Sequence, residues 1–505
     1  MDQLEAVAVR DWAHAARSAL DEARDRIDAV NVFPVADSDT GTNVLLTVIG
    51  GVDAVGLVPQ GATPAEVARA FGRGALLAAR GNSGVIVSQY LTGFARSLPA
   101  QAGAREVAHC LAVAGRAARE ATVEPQEGTV LTLADVVSSA AATAADAGAD
   151  LPTMLAEAVA EALRALGRIS AAHPVLRAAH VLDAGACALL VVLDALARAV
   201  SDERPVQVPL DWLPTRGAHH TSAELTGGAF EVMLLVSDEH PVTDTGAELR
   251  RRMGDVGDSV AVVGGDGWWH VHVHTDDPAA AIAGAELGRR EQVLVRLLAG
   301  AHAGGSALTG RADGLERWGV VACTAAPDLA AWYASSGAVV LVRCPEAPVR
   351  SVHLERAVTD TGATHVVLLP GSGATPDEVA ALAAPGTVIE RLGATDELRA
   401  VVASLALAGA GPTAQGCAAA RAALARLDVH AVEVASTRTV SDAVDALVGA
   451  PRPVPAESLT VLLQGAPGDG LVDGLVDHLA AHHPGVEATV VGPTGRGPAL
   501  VLGLD

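Results

Sequence analysis

Along the first 200 residues the apolar positions recur with a helical rather than a strand period. Leu4, Val7, Trp12, Ala16, Leu20, Ala23 and Ile27 keep one face apolar, which predicts an amphipathic helix that stops where Asn31-Val32-Phe33-Pro34 begins. A further helix is expected from about Asn43. The next start is marked at Thr63-Pro64-Ala65-Glu66, where a hydroxyl cap, a Pro at the first helical position and a Glu three residues after the cap form a capping box; its expected stop is Gly81-Asn82. Helical stretches follow at about 84–98, 106–120, 129–145, 152–166 and 184–200. Residues 1–200 therefore read as an all-α domain of about eight helices. The pattern then breaks, and residues 201–222, with Pro, charge and no period, read as a linker.

Beyond it the period shortens. Val-rich runs at 232–236 and 259–263 alternate with helix-like stretches, which predicts an α/β domain over 223–303 that ends at the Gly-rich join Gly304-Gly305-Ser306. Runs at 319–322, 338–342 and 365–369, spaced by helices, predict a third domain over 314–505 with a largely parallel sheet.

Composition narrows the function classes. Aromatic residues make up only 2% of the 505, so Ala, Val and Leu must fill the cores. A formal charge of -24 would repel a phosphate backbone or an anionic membrane, which argues against a nucleic-acid partner. All 35 basic residues are Arg, so neither a P-loop nor Schiff-base chemistry is available. The five Cys stand singly, no apolar run of about 18 residues occurs, and the N-terminus lacks a signal-peptide apolar centre; an integral membrane segment is not expected and a cytoplasmic setting is.

Four loops at helix starts carry candidate chemistry. In Asn31-Val-Phe-Pro-Val-Ala-Asp37-Ser38-Asp39-Thr40-Gly41-Thr42-Asn43, two carboxylates on a turn could grip a hard cation, although Asx turns and a helix cap would use the same residues. In Arg80-Gly81-Asn82-Ser83-Gly84, small residues at a helix N-terminus would let phosphates approach the backbone N–H groups; a plain interhelical turn is the alternative. Gly128-Thr129 and Asp183-Ala184-Gly185 offer a Gly and a polar group each, or simple caps. In the middle domain His270, His272 and His274 alternate along a strand and would share a face, as zinc ligands or as an exposed polar edge.

The order NVFPVADSDTGTN, ARGNSGVIVSQ, EGTVLT and VLDAGA resembles the DhaL-type nucleotide-binding domain of dihydroxyacetone kinases, and specifically the FakA-type catalytic subunit of bacterial fatty acid kinase. The resemblance implies an eight-helix antiparallel barrel with ATP at one end and two Mg²⁺ ions on the acidic loop. By position, Asp37 and Asp39 become metal ligands and catalytic residues, with Asn31 near a further ligand position. Gly81, Asn82, Ser83 and Gly84 become phosphate contacts, Thr42 and Asn43 close the acidic loop, and Thr129, Asp183 and Gly185 are nucleotide contacts. Arg80 becomes a stabiliser of transferred charge or a surface Arg. Ala36 and Ser38 stand where the family usually has Pro and Gly, and a positive φ at Ser38 would cost roughly 1–2 kcal/mol.

FakA-type proteins share the HVHT core and add a Cys from an earlier strand to hold Zn²⁺; the corresponding stretch here, 226–231, has none, so either His270 replaces it or the site is lost. The last domain resembles the family's DegV-like region less closely. The resemblance implies transfer of the ATP γ-phosphoryl group to a fatty acid carboxylate held by a FakB (DegV-type) partner, and leaves a homodimer open. A dihydroxyacetone (glycerone) kinase and a non-catalytic nucleotide- and metal-binding regulatory scaffold are the rival readings.

Overall fold

The structure is a computed structural model. It describes the chain except residues 1, 35–37, 202–207, 215–227, 239–243, 266, 299–315, 435, 453, 467, 469 and 496. Two compact units are present. One comprises described residues of Met1–Gly228, Leu235–His274 and Leu298–Gly300; the other comprises Ala229–Leu234, Thr275–Leu297 and Ala301–Asp505.

The first unit opens with nine helices among its described residues: α1 (Ala6–Asp28), α2 (Thr40–Gly56), α3 (Pro64–Ala78), α4 (Gly81–Ser97), α5 (Ala104–Glu120), α6 (Val130–Asp146), α7 (Leu151–Ala172), α8 (Pro174–Ala179) and α9 (Ala184–Ala199). The sequence pattern predicts eight; the addition is α8, whose six residues between a Pro and the left-handed His180 are too few to show a period. Each long helix packs on the next, and α9 packs on both α7 and α1, so the neighbour order is cyclic. Ala at the contacts lets the helices approach closely. The few large side chains sit at the centre, where Trp12 meets Phe71 and Phe94 edge-on at 5.2 and 5.3 Å and its indole N–H donates to the Val192 carbonyl at 2.8 Å.

The capping box at Thr63 forms as expected, with Glu66 N–H donating to Thr63 Oγ1 at 3.3 Å and Thr63 N–H donating to Glu66 Oε2 at 2.7 Å. The expected stop at Gly81-Asn82 is corrected: α3 ends at Ala78 because Ala79 turns extended, and Gly81 opens α4. The same unit continues through β1 (Phe230–Ser237), within which the division between units falls, α10 (Thr245–Val256), β2 (Asp258–Gly265) and β3 (Trp268–Thr275). β2 and β3 pair antiparallel. β2 also bonds the loop after α5, where Val123 N–H donates to Val260 O and Val262 N–H to Ala121 O, and Ala261 and Val263 bury against Leu76, Ala79, Val85 and Ala121.

The second unit contains α11 (Pro278–Gly284), β4 (Arg289–Leu297), β5 (Trp318–Thr324), α12 (Ala330–Ser335), β6 (Val339–Val342), α13 (Ser351–Asp360), β7 (His365–Leu369), α14 (Pro376–Ala380) and β8 (Val388–Arg391). β6, β5, β7 and β8 run parallel, and β4 pairs antiparallel with β6. Two helices, α15 (Glu397–Ala410) and α16 (Ala414–Arg426), lead to β9 (Asp428–Val432), α17 (Thr437–Val448), β10 (Ser458–Leu463), α18 (Leu471–His482), β11 (Glu487–Val491) and β12 (Leu500–Leu504). These last strands form a separate sheet in the order β11-β10-β12-β9, parallel only at β10–β11. The expectation of one largely parallel sheet is thus corrected to two sheets with mixed pairing. Apolar runs reveal buried strands but not the direction in which neighbours run.

Trp12 is fully buried and supplies both the hydrogen bond to α9 and the aromatic contacts to α3 and α4. We expect Trp12→Ala to destabilise the helical part by about 3–5 kcal/mol, read from urea unfolding followed by far-UV circular dichroism; a midpoint matching wild type would contradict this packing.

Candidate functional site

The helical part sends several helix N-termini to one place. A cavity of about 520 Å³ is lined by Asn82 and Ser83 in the first turn of α4, by Thr129, Val130 and Leu131 at the start of α6, and by Asp183 and Gly185 at the start of α9. First-turn N–H groups lack intrahelical partners and carry the positive end of the helix dipole, so such a convergence favours an anion. The remaining walls are Phe33, Pro34, Ile86, residues 122–124 and 126, and residues 254 and 257–260. Among these, Phe33, Pro34, Ile86, Val123 and Val260 offer apolar surface that can cover a flat ring. A second cavity of about 700 Å³, between α7, α9 and residues 209–212, brings no such set of helix starts together.

Each cap has a definite structure. Thr129 Oγ1 donates to Gln126 O at 2.7 Å and accepts from Leu131 N–H at 3.4 Å. Asp183 accepts from Ala186 N–H at 2.7 Å, and its own N–H donates to Ser170 Oγ at 2.9 Å. Burial pushes the Asp183 carboxyl up to about 6, against the opposing hydrogen bonds from Ala186 and Val130. Asn82 Oδ1 is buried with no hydrogen-bond partner among the described residues, at the cavity wall. A buried amide in that position is one a ligand group would satisfy, and a 180° turn would present its NH₂ instead.

The acidic loop is tied down by a residue that the motif reading passed over. Asp28, the last residue of α1, accepts from Gly41 N–H at 2.6 Å and from Thr42 N–H at 3.1 Å on one oxygen, and from Thr42 Oγ1 at 2.7 Å on the other. Burial raises its carboxyl to about 6; the bonds from Thr42 and Gly41 oppose the rise and the nearby Asp39 charge adds to it. A Cβ on Gly41 would lie 3.0 Å from Asp28 Oδ1 and 2.5 Å from Arg24 O, so only glycine admits this clamp. An available signal was electrostatic: an Asp in the last turn of a helix opposes the dipole and needs donors from elsewhere.

Of the residues singled out in the sequence, Asp39 is the N-cap position of α2, and Asn31 is buried just after α1. Asp37 lies outside the described residues. Ser38 does adopt a positive φ of 55°, the strain anticipated for a residue in a glycine position. Thr42 belongs to the Asp28 clamp. Asn43 is buried against Gly81, whose φ of 55° and Cβ position 2.4 Å from Asn43 Nδ2 both require glycine. Gly84 is buried in the first turn of α4, and Thr40 Oγ1 lies 3.4 Å from Ser83 Oγ, so the starts of α2 and α4 adjoin. Arg80 is buried and donates from Nη1 to Ala78 O at 2.6 Å; it is not among the cavity walls.

On β3, His270, His272 and His274 are all buried, not an exposed edge. His272 Nε2 and His274 Nε2 stand 3.1 Å apart, close to the spacing of two ligands on one ion. His270 lies one strand step before His272 and is not among the ligand atoms gathered around that pair.

A family model of the DAK2 domain matches residues 34–198, and one of the middle domain of FakA-like fatty acid kinase proteins matches residues 228–303. Along the chain the two matches follow in order, a DAK2 domain and then a FakA-like middle domain. Protein YloV of Bacillus subtilis (strain 168) is 32% identical over 266 residues, covering 50% of this chain and 48% of YloV. An uncharacterized protein of Staphylococcus haemolyticus is 30% identical over 292 residues, covering 55% of this chain and 52% of its own. The chain spans about half the length of these relatives in each match. The DAK2 match contains Asp39, Asn82, Ser83, Thr129, Asp183 and Gly185, so every helix start at the cavity falls inside the DAK2 match. No described helix is long and apolar enough to cross a membrane.

Asp183 gives the site a measurable pH signature. Its folded-state value, about 6, lies above the roughly 3.9 of an unfolded Asp, so its stabilising contribution is complete below that lower value and is lost as pH rises through about 6. Asp183→Asn keeps the capping oxygen and cannot ionise. Its urea midpoint should therefore fall less than that of wild type between pH 4 and pH 7; parallel profiles would contradict the assignment.

Proposed function

We propose that the chain binds Mg-ATP at the convergent starts of α4, α6 and α9 and transfers the γ-phosphoryl group to a fatty acid carboxylate presented by a separate FakB (DegV-type) protein. The observation that carries this reading is the 520 Å³ cavity whose charged end is built from helix N-termini inside a DAK2 domain. The cyclic order of helix neighbours supports reading the eight long helices as an antiparallel barrel with ATP at one end. The DegV-like character of the last domain belongs to the same proposal.

The donor set suits a hard cation. Asp39 sits beside Asp28 at the start of α2, Asp37 precedes it by two residues, and the Thr40 and Ser83 hydroxyls adjoin, with oxygen donors throughout. Mg²⁺ ions, two by resemblance, held by Asp37 and Asp39 with Asn31 nearby, would neutralise phosphate charge and orient the γ-phosphoryl group. Asp28 holds the start of α2 by its Gly41 and Thr42 bonds, which keeps Asp39 at the head of that helix.

First-turn N–H groups of α4, with Asn82 and Ser83, hold the phosphates, and Gly81 and Gly84 let α4 start close against Asn43 and Thr47. Thr129, Asp183 and Gly185 shape the opposite wall around the nucleotide. The acceptor carboxylate, already ionised at neutral pH, attacks the γ-phosphorus as the bond to the β,γ-bridging oxygen breaks, giving acyl phosphate and ADP without a general base. The chain's own contribution is positioning and charge compensation, achieved without any Lys. Arg80, engaged with the Ala78 carbonyl, acts by holding the entry to α4. The His272–His274 pair would hold Zn²⁺ as a structural ion, apart from the transfer.

The test is ATP turnover with a lipid-loaded FakB-type partner. Asp39→Ala and Asp37→Ala should fold as wild type does and lower kcat by roughly 100-fold or more, since each removes charge compensation made in the transition state. Wild-type rates in both variants would remove the acidic loop from the mechanism, and turnover with glycerone in place of the loaded partner would redirect the acceptor.

A further inference from the structure

The sheet of β9 to β12 carries a side-chain cluster that the phosphotransfer reading leaves unused. Asp445 lies on α17; His478 and His482 lie one turn apart on α18, and His483 follows as its C-cap residue. His478 Nε2 is 2.8 Å and His483 Nε2 is 2.7 Å from the same oxygen, Asp445 Oδ1. The backbone at His483 leaves the helix (φ -135°, ψ 56°), so its ring returns to the carboxylate that His478 already meets. His482 stacks on His478 with ring centroids 4.5 Å apart, and its Nδ1 lies 3.0 Å from the His478 carbonyl oxygen.

We propose that Asp445, His478 and His483 form a binding site for a divalent transition ion of the Zn²⁺ class. Their three ligand atoms lie within 4.8 Å of one another. Tetrahedral coordination with bonds of about 2.0–2.1 Å separates its ligands by roughly 3.3 Å. The present N···O distances therefore need to open by about half an ångström, and Asp445, half exposed, has the freedom to do so. Two imidazoles and one carboxylate, without a thiolate, select a borderline ion such as Zn²⁺ over Mg²⁺ or Ca²⁺. In the ion-free state the imidazole N–H groups donate to the carboxylate, and the ion would take the place of those hydrogen bonds. Stacking by His482 fixes the His478 ring, and the fourth coordination position stays open to water. Because the ligands come from both helices, the ion joins α17 to α18.

The site is independent of the His272–His274 pair and of the nucleotide cavity, so its test does not involve phosphotransfer. Full-length protein is stripped with a chelator, desalted, and titrated with Zn²⁺ against a chromophoric competitor. His478→Ala/His483→Ala should bind one equivalent fewer than wild type and lose part of the zinc-dependent rise in melting temperature. Asp445→Asn and His478→Gln, which keep hydrogen-bonding side chains, should each weaken that equivalent at least roughly tenfold, the lower end of what loss of a group that merely supports a ligand costs. If the double variant unfolds, the two conservative variants decide. Zinc stoichiometry and affinity equal to wild type in both would overturn the proposal and leave the cluster as a hydrogen-bonded clasp.

Discussion

The Asp28 carboxylate, held by three donors from Gly41 and Thr42, is the constraint on which the rest of the site depends. It closes the end of α1 against the start of α2, and so fixes where Asp39 sits at the head of α2. Once α2 begins there, Asn43 meets Gly81, Thr40 meets Ser83, and α4 begins beside it. The cost is a carboxyl kept in a place that resists its charge. Hydrogen bonds offset part of that cost, and a glycine at 41 makes the approach sterically open.

Such an arrangement suits a chain with no Lys and a formal charge of -24. A phosphate arriving at this protein finds little mobile positive charge, so attraction has to come from fixed backbone dipoles and from bound cations. The Ala-rich helices allow this: packed closely, they can end at one side and leave their first turns open to the same cavity. Segment 254–260 supplies part of the wall, which ties the FakA-like middle region to a DAK2 cavity through the β2 hydrogen bonds to Ala121 and Val123.

Much of this was legible from the residues. Helical periodicity and the Thr63 capping box located the long helices, and four glycine- and acid-containing loops located the helix starts. Their convergence was implied only by family resemblance, because loop order says nothing of loop proximity. Asp28 escaped notice since its partners lie 13 and 14 residues away and it belongs to no motif. Helix α8 was too short to show a period. Strand direction at β4, β9 and β12 was invisible to a reading of apolar runs. On β3, alternation correctly put His272 and His274 on one face, while His270 is not among the ligand atoms gathered there. The cluster at Asp445 needed two helices folded together before it could be seen.

Calorimetric titration of the full chain with a nonhydrolysable ATP analogue, with and without Mg²⁺, tests the central claim most directly. The account predicts a Mg²⁺-dependent heat of binding at one site, weakened in Asp39→Ala and in Asn82→Ala while both variants keep the wild-type circular dichroism. No heat of association, or equal affinity in wild type and both variants, would contradict it.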